Sequence, residues 1–185
     1  DWVTIAPATR GLSTYSSTLN IAENNSGKER SCVVKVTSQG DNELSAEYNI
    51  AQKPRYCIYY TSSNGEIVTP YYSSSFGATI VSNTYIDGVG VIEFKAPITT
   101  IGGWAFSGCT SLTSVTIPDS VTTIGGGAFA SCNRLKEFKG KFAEDNGRIL
   151  VIDGVLVAFA PAGLTEYAIP DSVTSIGERA FAYCE

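Results

Sequence analysis

The chain has 185 residues, of which 43% are hydrophobic and 17% charged, with a formal net charge of -5 and no histidine. That length holds one large or two small cores, and that composition is not that of a disordered chain. The acidic balance argues against a nucleic-acid partner, which needs a dense basic face. Without histidine there is no Ser-His-Asp or Cys-His arrangement and no imidazole metal site.

Methionine is also absent, so Asp1 reads as the first residue of a processed or excised piece; a signal peptide or lipid-attachment cysteine would then lie outside it. The longest apolar region, ILVIDGVLVAFA (149–160), is broken by Asp153-Gly154 and is too short to cross a bilayer, so no transmembrane segment is expected.

Residues 1–53 alternate. Trp2–Ile5, Thr18–Ile21, Val33–Thr37 and Leu44–Ile50 suit strands, the last with Leu44, Ala46, Tyr48 and Ile50 on one face and Ser45, Glu47 and Asn49 on the other. Polar turns, ENNSGKER (23–30) and SQGDN (38–42), separate them. Asn24-Asn25-Ser26 has the form of a glycosylation sequon and is read as a turn. This is an antiparallel β module with one wet face, thin enough that a partial sandwich is expected.

Pro54 opens a tyrosine-rich segment, 54–88, with Asn64-Gly65 placed as a hairpin turn between Ile58-Tyr59-Tyr60 and Ile67-Val68. It contains Tyr56, Tyr59, Tyr60, Tyr71, Tyr72 and Tyr85. Tyrosine suits a half-wet cap over the apolar end of whatever follows. Tyr59, Tyr60, Tyr71 and Tyr72 are also candidate aromatic contacts, able to stack on a sugar or anchor a protein partner.

From about residue 89 a long period takes over. IPDSVTTIGGGAF (117–129) and IPDSVTSIGERAF (169–181) share ten of thirteen residues at a separation of 52. Leu112, Leu135 and Leu164 open equivalent strands, LTSVTI, LKEFKG and LTEYAI, and counting back 23 from Leu112 reaches VGVIEF at 89–94. The spacing predicts a solenoid whose coils start 23, 23 and 29 residues apart, which makes 52 a separation of two coils. Ile101, Ile124 and Ile176 then share one level, and Phe106, Phe129 and Phe181 another. AEDNGRILVIDGVLVAFAPAG (143–163) reads as an extra hairpin turning at Asp153-Gly154 on the outer side, and the chain stops mid-repeat at Glu185.

The five cysteines, Cys32, Cys57, Cys109, Cys132 and Cys184, show no CxxC spacing, so neither a disulfide framework nor a zinc site is indicated. Cys109, Cys132 and Cys184 recur at one place in the coil, where the third coil has Ala162, so a small buried side chain is expected there. Cys184 should lie two coils from Cys132, about 10 Å away.

SLTSVTIPDSVTTIGGGAFASC (111–132) and YAIPDSVTSIGERAFAYC (167–184) resemble the leucine-rich repeats of BspA-like bacterial surface proteins, over about residues 54–185. WVTIAPATRG (2–11) and YNIAQK (48–53) resemble the second half of a BACON domain. The first resemblance implies an exported, cell-surface protein, adhesin-like toward host matrix proteins or other cells. The second implies an immunoglobulin-like module with a carbohydrate- or mucin-binding role, or a spacer. Neither brings a catalytic motif or a cofactor.

The fold class expected is therefore mostly β with short helical turns: a partial immunoglobulin-like sandwich (1–53), a tyrosine-rich cap (54–88) and a leucine-rich repeat solenoid (89–185). Its inner strand face is the usual binding surface of a solenoid. One row there reads Glu93, Thr116, Lys139, Ala168 and the next Val91, Ser114, Glu137, Glu166; Glu93, Thr116, Lys139, Glu137 and Glu166 are the candidate ligand contacts. The carboxylate pairs Glu43/Glu47 and Glu144/Asp145 sit in polar strand or loop context with nothing to raise a pKa, so no enzyme activity is expected. RLKEFKGK (134–141) reads as the solvated side of a strand. The expected protein is a monomer outside the cell that binds a host or bacterial surface protein, with glycan binding by residues 1–53 as the alternative and a structural spacer as the third.

Overall fold

The computed structural model of the protein describes residues 3–5, 9–10, 15–16, 19–22, 24, 30–37, 45–52 and 55–184. The chain divides into two compact units, Asp1–Arg55 and Tyr56–Glu185. Both are β-rich, and among the described residues the helical structure is two short 3-10 turns, Ser73–Phe76 and Asp145–Gly147.

In the first unit, β1 (Val3–Ile5) pairs antiparallel with β4 (Leu19–Ile21), and β2 (Thr9–Arg10) with β3 (Tyr15–Ser16). β5 (Arg30–Thr37) and β6 (Ser45–Gln52) form a regular antiparallel ladder from Arg30↔Gln52 to Thr37↔Ser45. β5 begins inside the segment expected to be the polar turn 23–30. Alternation placed Tyr48 with Ile50 on a covered face, but Tyr48, opposite Val34 in the ladder, is 58% exposed. Asn24, expected in a solvated turn, is fully buried, and its carbonyl accepts the Arg55 N–H at 2.8 Å. Trp2, Thr18 and Leu44 lie outside the described residues.

The second unit contains β7 (Tyr56–Ser62), β8 (Ile80–Ile86), β9 (Val89–Phe94), β10 (Thr100–Ile101), β11 (Leu112–Ile117), β12 (Thr123–Ile124), β13 (Glu137–Gly140), β14 (Ala143–Glu144), β15 (Ile149–Ile152), β16 (Val155–Phe159) and β17 (Ser175–Ile176). Residues 23 apart pair in parallel: Thr100↔Thr123 and Ile101↔Ile124, then Ser114↔Glu137 through Ile117↔Gly140. Equivalent backbones therefore lie one strand spacing apart, about 4.8 Å. The turn between them is tied the same way, with Phe106 N–H to the Ala128 carbonyl (2.7 Å) and Gly125 N–H to the Ile101 carbonyl (2.8 Å). Gly125 has to be glycine: a Cβ there would sit 2.3 Å from the backbone nitrogen of Gly103.

Three of the turns cross the left-handed region twice at matched places. Trp104, Gly127 and Arg179 have φ of 61°, 66° and 56°, and Gly108, Ser131 and Tyr183 have 71°, 59° and 58°. The shared sentence in the sequence thus encodes a shared backbone path, even where a bulky residue must adopt it at a cost.

Five phenylalanines run through the main core, Phe94–Phe76–Phe106–Phe129–Phe138, with centroids 5.1, 5.5, 5.3 and 5.0 Å apart; Phe106 and Phe129 lie parallel within 6°. Phe181 does not join that row. It packs on Phe159 at 4.9 Å in a second cluster with Ile149, Val151, Leu156 and Ala180.

Several expectations need correction. VGVIEF was to stack directly on LTSVTI as the preceding coil, but β7 lies between them, and the sheet runs β13-β11-β7-β9-β8 with β7 antiparallel to both neighbours. Gly90 makes the insertion possible, since the Tyr60 ring lies where a Cβ at residue 90 would be (2.1 Å). Asn64-Gly65 does turn the chain, yet no hairpin forms, because the Val68 N–H bonds to the Tyr60 hydroxyl (3.1 Å) instead of a ladder partner. LTEYAI (164–169) is not a strand, and Leu164 and Ile169 are 38% and 42% exposed. Its place beside β13 is taken by the 145–147 turn, which approaches so closely that a Cβ on Gly147 would lie 2.4 Å from the Phe138 carbonyl oxygen.

The hairpin does turn at Asp153-Gly154, with Ile152↔Val155 closing it. It is not an outer appendage, however. β16 pairs in parallel with β17 (Leu156↔Ile176), and Gly177 N–H donates to the Leu156 carbonyl (2.8 Å) as Gly125 does to Ile101. Leu156, fully buried, thus takes the level assigned to Ile124, while Ile176 is 55% exposed on its other side. At the opposite corner the turns of 118–132 and 170–184 touch directly: Ser131 N–H reaches the Ala182 carbonyl (3.4 Å), the same bond that Gly108 makes to Ala130. At that corner, a separation of 52 is one step, not two.

Candidate recognition surface

Alternation along β7 sends Ile58 and the buried Tyr60 to the core, so Cys57, Tyr59 and Thr61 face the other side of the sheet. Register carries that face across all five strands in one row: Thr84–Val91–Tyr59–Thr116–Lys139. The next row holds Thr61, Ser114 and Glu137. The Thr61 hydroxyl lies 2.6 Å from that of Thr113 and 2.7 Å from that of Ser114, forming a hydroxyl cluster. Lys139 and Glu137 form an exposed ion pair at 2.9 Å, which adds little stability and leaves both groups available.

Of the five candidate ligand contacts, Thr116, Lys139 and Glu137 lie together on this face. Glu93 does not neighbour Thr116, because β7 intervenes; it stands opposite Cys57 and accepts the Ser82 hydroxyl at 3.3 Å. Glu166 is exposed on the irregular segment after the hairpin rather than in a strand row, and Ala168 is likewise outside any strand. Sequence reasoning missed Tyr59, Val91 and Thr84 as row-mates of Thr116. The signal for them was Gly90 between Val89 and Val91 inside a strand, which marks the close approach of another chain segment.

The tyrosines divide. Tyr60 is buried, donates to Asn83 Oδ1 (2.8 Å) and accepts from Val68, and burial raises its pKa, so it is a structural residue rather than a contact. Tyr59 is half-buried within its row. Tyr71 and Tyr72 are 65% and 48% exposed and form an edge-to-face pair with centroids 4.5 Å apart. The apolar end of the repeats is covered by Phe76, whose neighbour Ser75 accepts the Gly102 N–H at 2.7 Å.

All five cysteines are free thiols. Cys132 donates to the Phe106 carbonyl (3.1 Å) and Cys109 to the Thr69 carbonyl (3.4 Å), so each ties its coil to the preceding segment. Burial pushes the Cys109 thiol up to about 11 and the Cys132 thiol higher still, which leaves neither nucleophilic near neutrality. Cys184 is exposed, against the expectation of a buried small residue at that place. Among the described residues no group of three His, Cys, Asp or Glu side chains is placed to hold a metal ion, and no helix is long and apolar enough to cross a membrane.

Residues 87–146 and 156–185 match the model of the BspA type leucine rich repeat region, in six copies. These two segments therefore carry BspA-type leucine-rich repeats. The match leaves out the tyrosine-rich lead-in and residues 147–155, where the hairpin departs from the repeat path. It does not reach residues 1–53 either, so the BACON-like reading there stands on its short sequence resemblance alone. No curated protein and no solved structure matches the chain.

Proposed function

We propose that this protein is a non-catalytic recognition protein of the cell surface, adhesin-like, in which a leucine-rich solenoid offers a rigid sheet face to a host or bacterial surface protein. The observation that carries this reading is the BspA-type repeat match, since that family is typically surface-associated and generally non-enzymatic. The Thr84–Val91–Tyr59–Thr116–Lys139 row supports it: a chemically mixed row on strands held in place by the packed core beneath. Such a face binds through many modest contacts made without rearrangement.

Glycan binding is the second reading, favoured by the exposed Tyr71–Tyr72 pair, whose rings have the area and geometry to stack on a sugar. The two are separated by testing the full chain on immobilised matrix proteins and on mucin glycans. A T116E/K139E double variant should weaken protein binding with no effect on glycans, and Y71S/Y72S should do the reverse. Silence of the unsubstituted chain on both supports would leave the spacer role and sink the adhesin reading.

A further inference from the structure

One edge of the five-stranded sheet is protected and the other is not. β13 is short, carries Glu137 and Lys139, and has the 145–147 turn against it, all of which blunt an edge. β8, IVSNTYI, is seven residues long and uncharged, with Val81 and Ile86 62% and 65% exposed. Its one protective device is a bulge between Ile80 and Ser82; from Ser82 to Ile86 the ladder with β9 is regular.

The bonding pattern follows from the turn. Asp87 and Gly88 have φ of 50° and 82°, as a two-residue type I′ hairpin requires, so Ile86↔Val89 is a hydrogen-bonded pair. Alternation then points the backbone groups of Ser82, Thr84 and Ile86 toward β9, and those of Asn83 and Tyr85 outward. No described residue pairs with these outward groups. The side chains of Asn83 and Tyr85 are meanwhile anchored inward: Asn83 to the Val68 carbonyl (3.0 Å) and the Tyr60 hydroxyl, Tyr85 beside Tyr60 and Ser62. The edge is thus held in the conformation that an added strand would need.

We propose that β8 pairs antiparallel with β8 of a second copy of this chain, about a two-fold axis at Thr84. The self-complementarity of the strand selects this occupant. About that axis Asn83 faces Tyr85 of the second copy twice, giving four backbone hydrogen bonds. Thr84 meets Thr84 across a close, non-hydrogen-bonded pair, Ser82 meets Ile86, and Asp87 meets Val81, so no like charges oppose. This inference rests on the backbone edge of β8 rather than on the sheet face, although Thr84 also begins the row described above, and its test reads self-association and not ligand binding; it departs from the monomer expected of the sequence.

A single strand-to-strand contact falls below the area of a stable dimer, so association is weak, with Kd on the order of 100 µM. Sedimentation equilibrium of the full chain under reducing conditions, from micromolar to millimolar, should show a reversible monomer–dimer equilibrium. T84K and T84E should each weaken it at least about tenfold, because like charges then face each other across the axis, while an equimolar mixture of the two should dimerise again. Thr84 is exposed, so unchanged melting temperatures would show that both variants fold. A chain that stays monomeric to 1 mM would overturn the proposal. So would a dimer indifferent to both charges, a mixture no better than either variant alone, or an edge that takes up only extended segments of other proteins.

Discussion

Replacing Gly125 with alanine tests the stacking of repeats where it is tightest. Its new methyl would lie 2.3 Å from the nitrogen of Gly103 and 2.8 Å from the carbonyl carbon of Gly102. Both are backbone atoms, roughly 1 Å inside ordinary contact, and no side chain can swing away to make room. The strands would have to separate, lengthening the Gly125–Ile101 hydrogen bond that joins the repeats. Overpacking of this kind costs about 1–3 kcal/mol and more when backbone must move, against a gain of about 0.4–1 kcal/mol from the stiffer unfolded chain. A net loss of about 3 kcal/mol should lower the melting temperature by about 10 °C for a unit of this size. Gly103→Ala is the control: its methyl meets only the Gly126 carbonyl oxygen, at 3.2 Å, which needs a shift of a few tenths of an ångström. That variant should stay within about 1 kcal/mol of the parent. Thermal and urea unfolding of the two, side by side, decide the matter. If Gly125→Ala is no less stable than Gly103→Ala, the 23-residue neighbours do not stack as closely as described.

Three further outcomes follow from the packing and the thiols. Phe106→Ala should cost about 3–5 kcal/mol, as it empties a fully buried site between Phe76 and Phe129, whereas Phe181→Ala, partly exposed and facing Phe159, should cost about half as much by urea titration. Ser131→Gly should stabilise by about 0.5–1 kcal/mol, because residue 131 is held at φ 59° where its equivalent, Gly108, already is glycine; calorimetry reads the gain. The Cys109 thiol stays protonated to about 11 in the folded protein, while in the unfolded chain it ionises near 9.0. Its contribution is therefore complete below pH 9 and declines as pH rises toward 11, so the urea midpoint should fall across that window, and Cys109→Ala should flatten part of the fall. A midpoint that rises between pH 9 and 11 would contradict the buried assignment.

The sequence made one class of contact plain and concealed another. Parallel neighbours announce themselves because the same residue types must recur to fill the same level: Ile101 on Ile124, Phe106 on Phe129, Thr100 on Thr123. Antiparallel neighbours leave no such trace. Nothing periodic tells that β7 enters between β9 and β11, or that Thr116 therefore stands beside Tyr59 rather than Glu93. The lost strand at 164–169 has a similar origin. LTEYAI has the pattern of a strand, but local propensity does not reveal that the 145–147 turn already lies beside β13, the edge it was expected to join. The candidate ligand face was accordingly legible only where β11 and β13 pair by repetition. Tyr60 shows the limit for single residues: composition marks a tyrosine as a half-wet contact, and only its bonds to Asn83 and Val68 reveal it as core.

The position of Leu156 has a consequence for how the repeat containing Ile176 is held. Ser175 and Ile176 pair with the hairpin strand Val155–Phe159, whereas at the other corner Ser131 N–H donates to the Ala182 carbonyl. That repeat is therefore gripped by two different segments, one of them an insertion. Trimming the hairpin would remove the strand on which Ser175–Ile176 are laid and leave the repeat anchored at one corner.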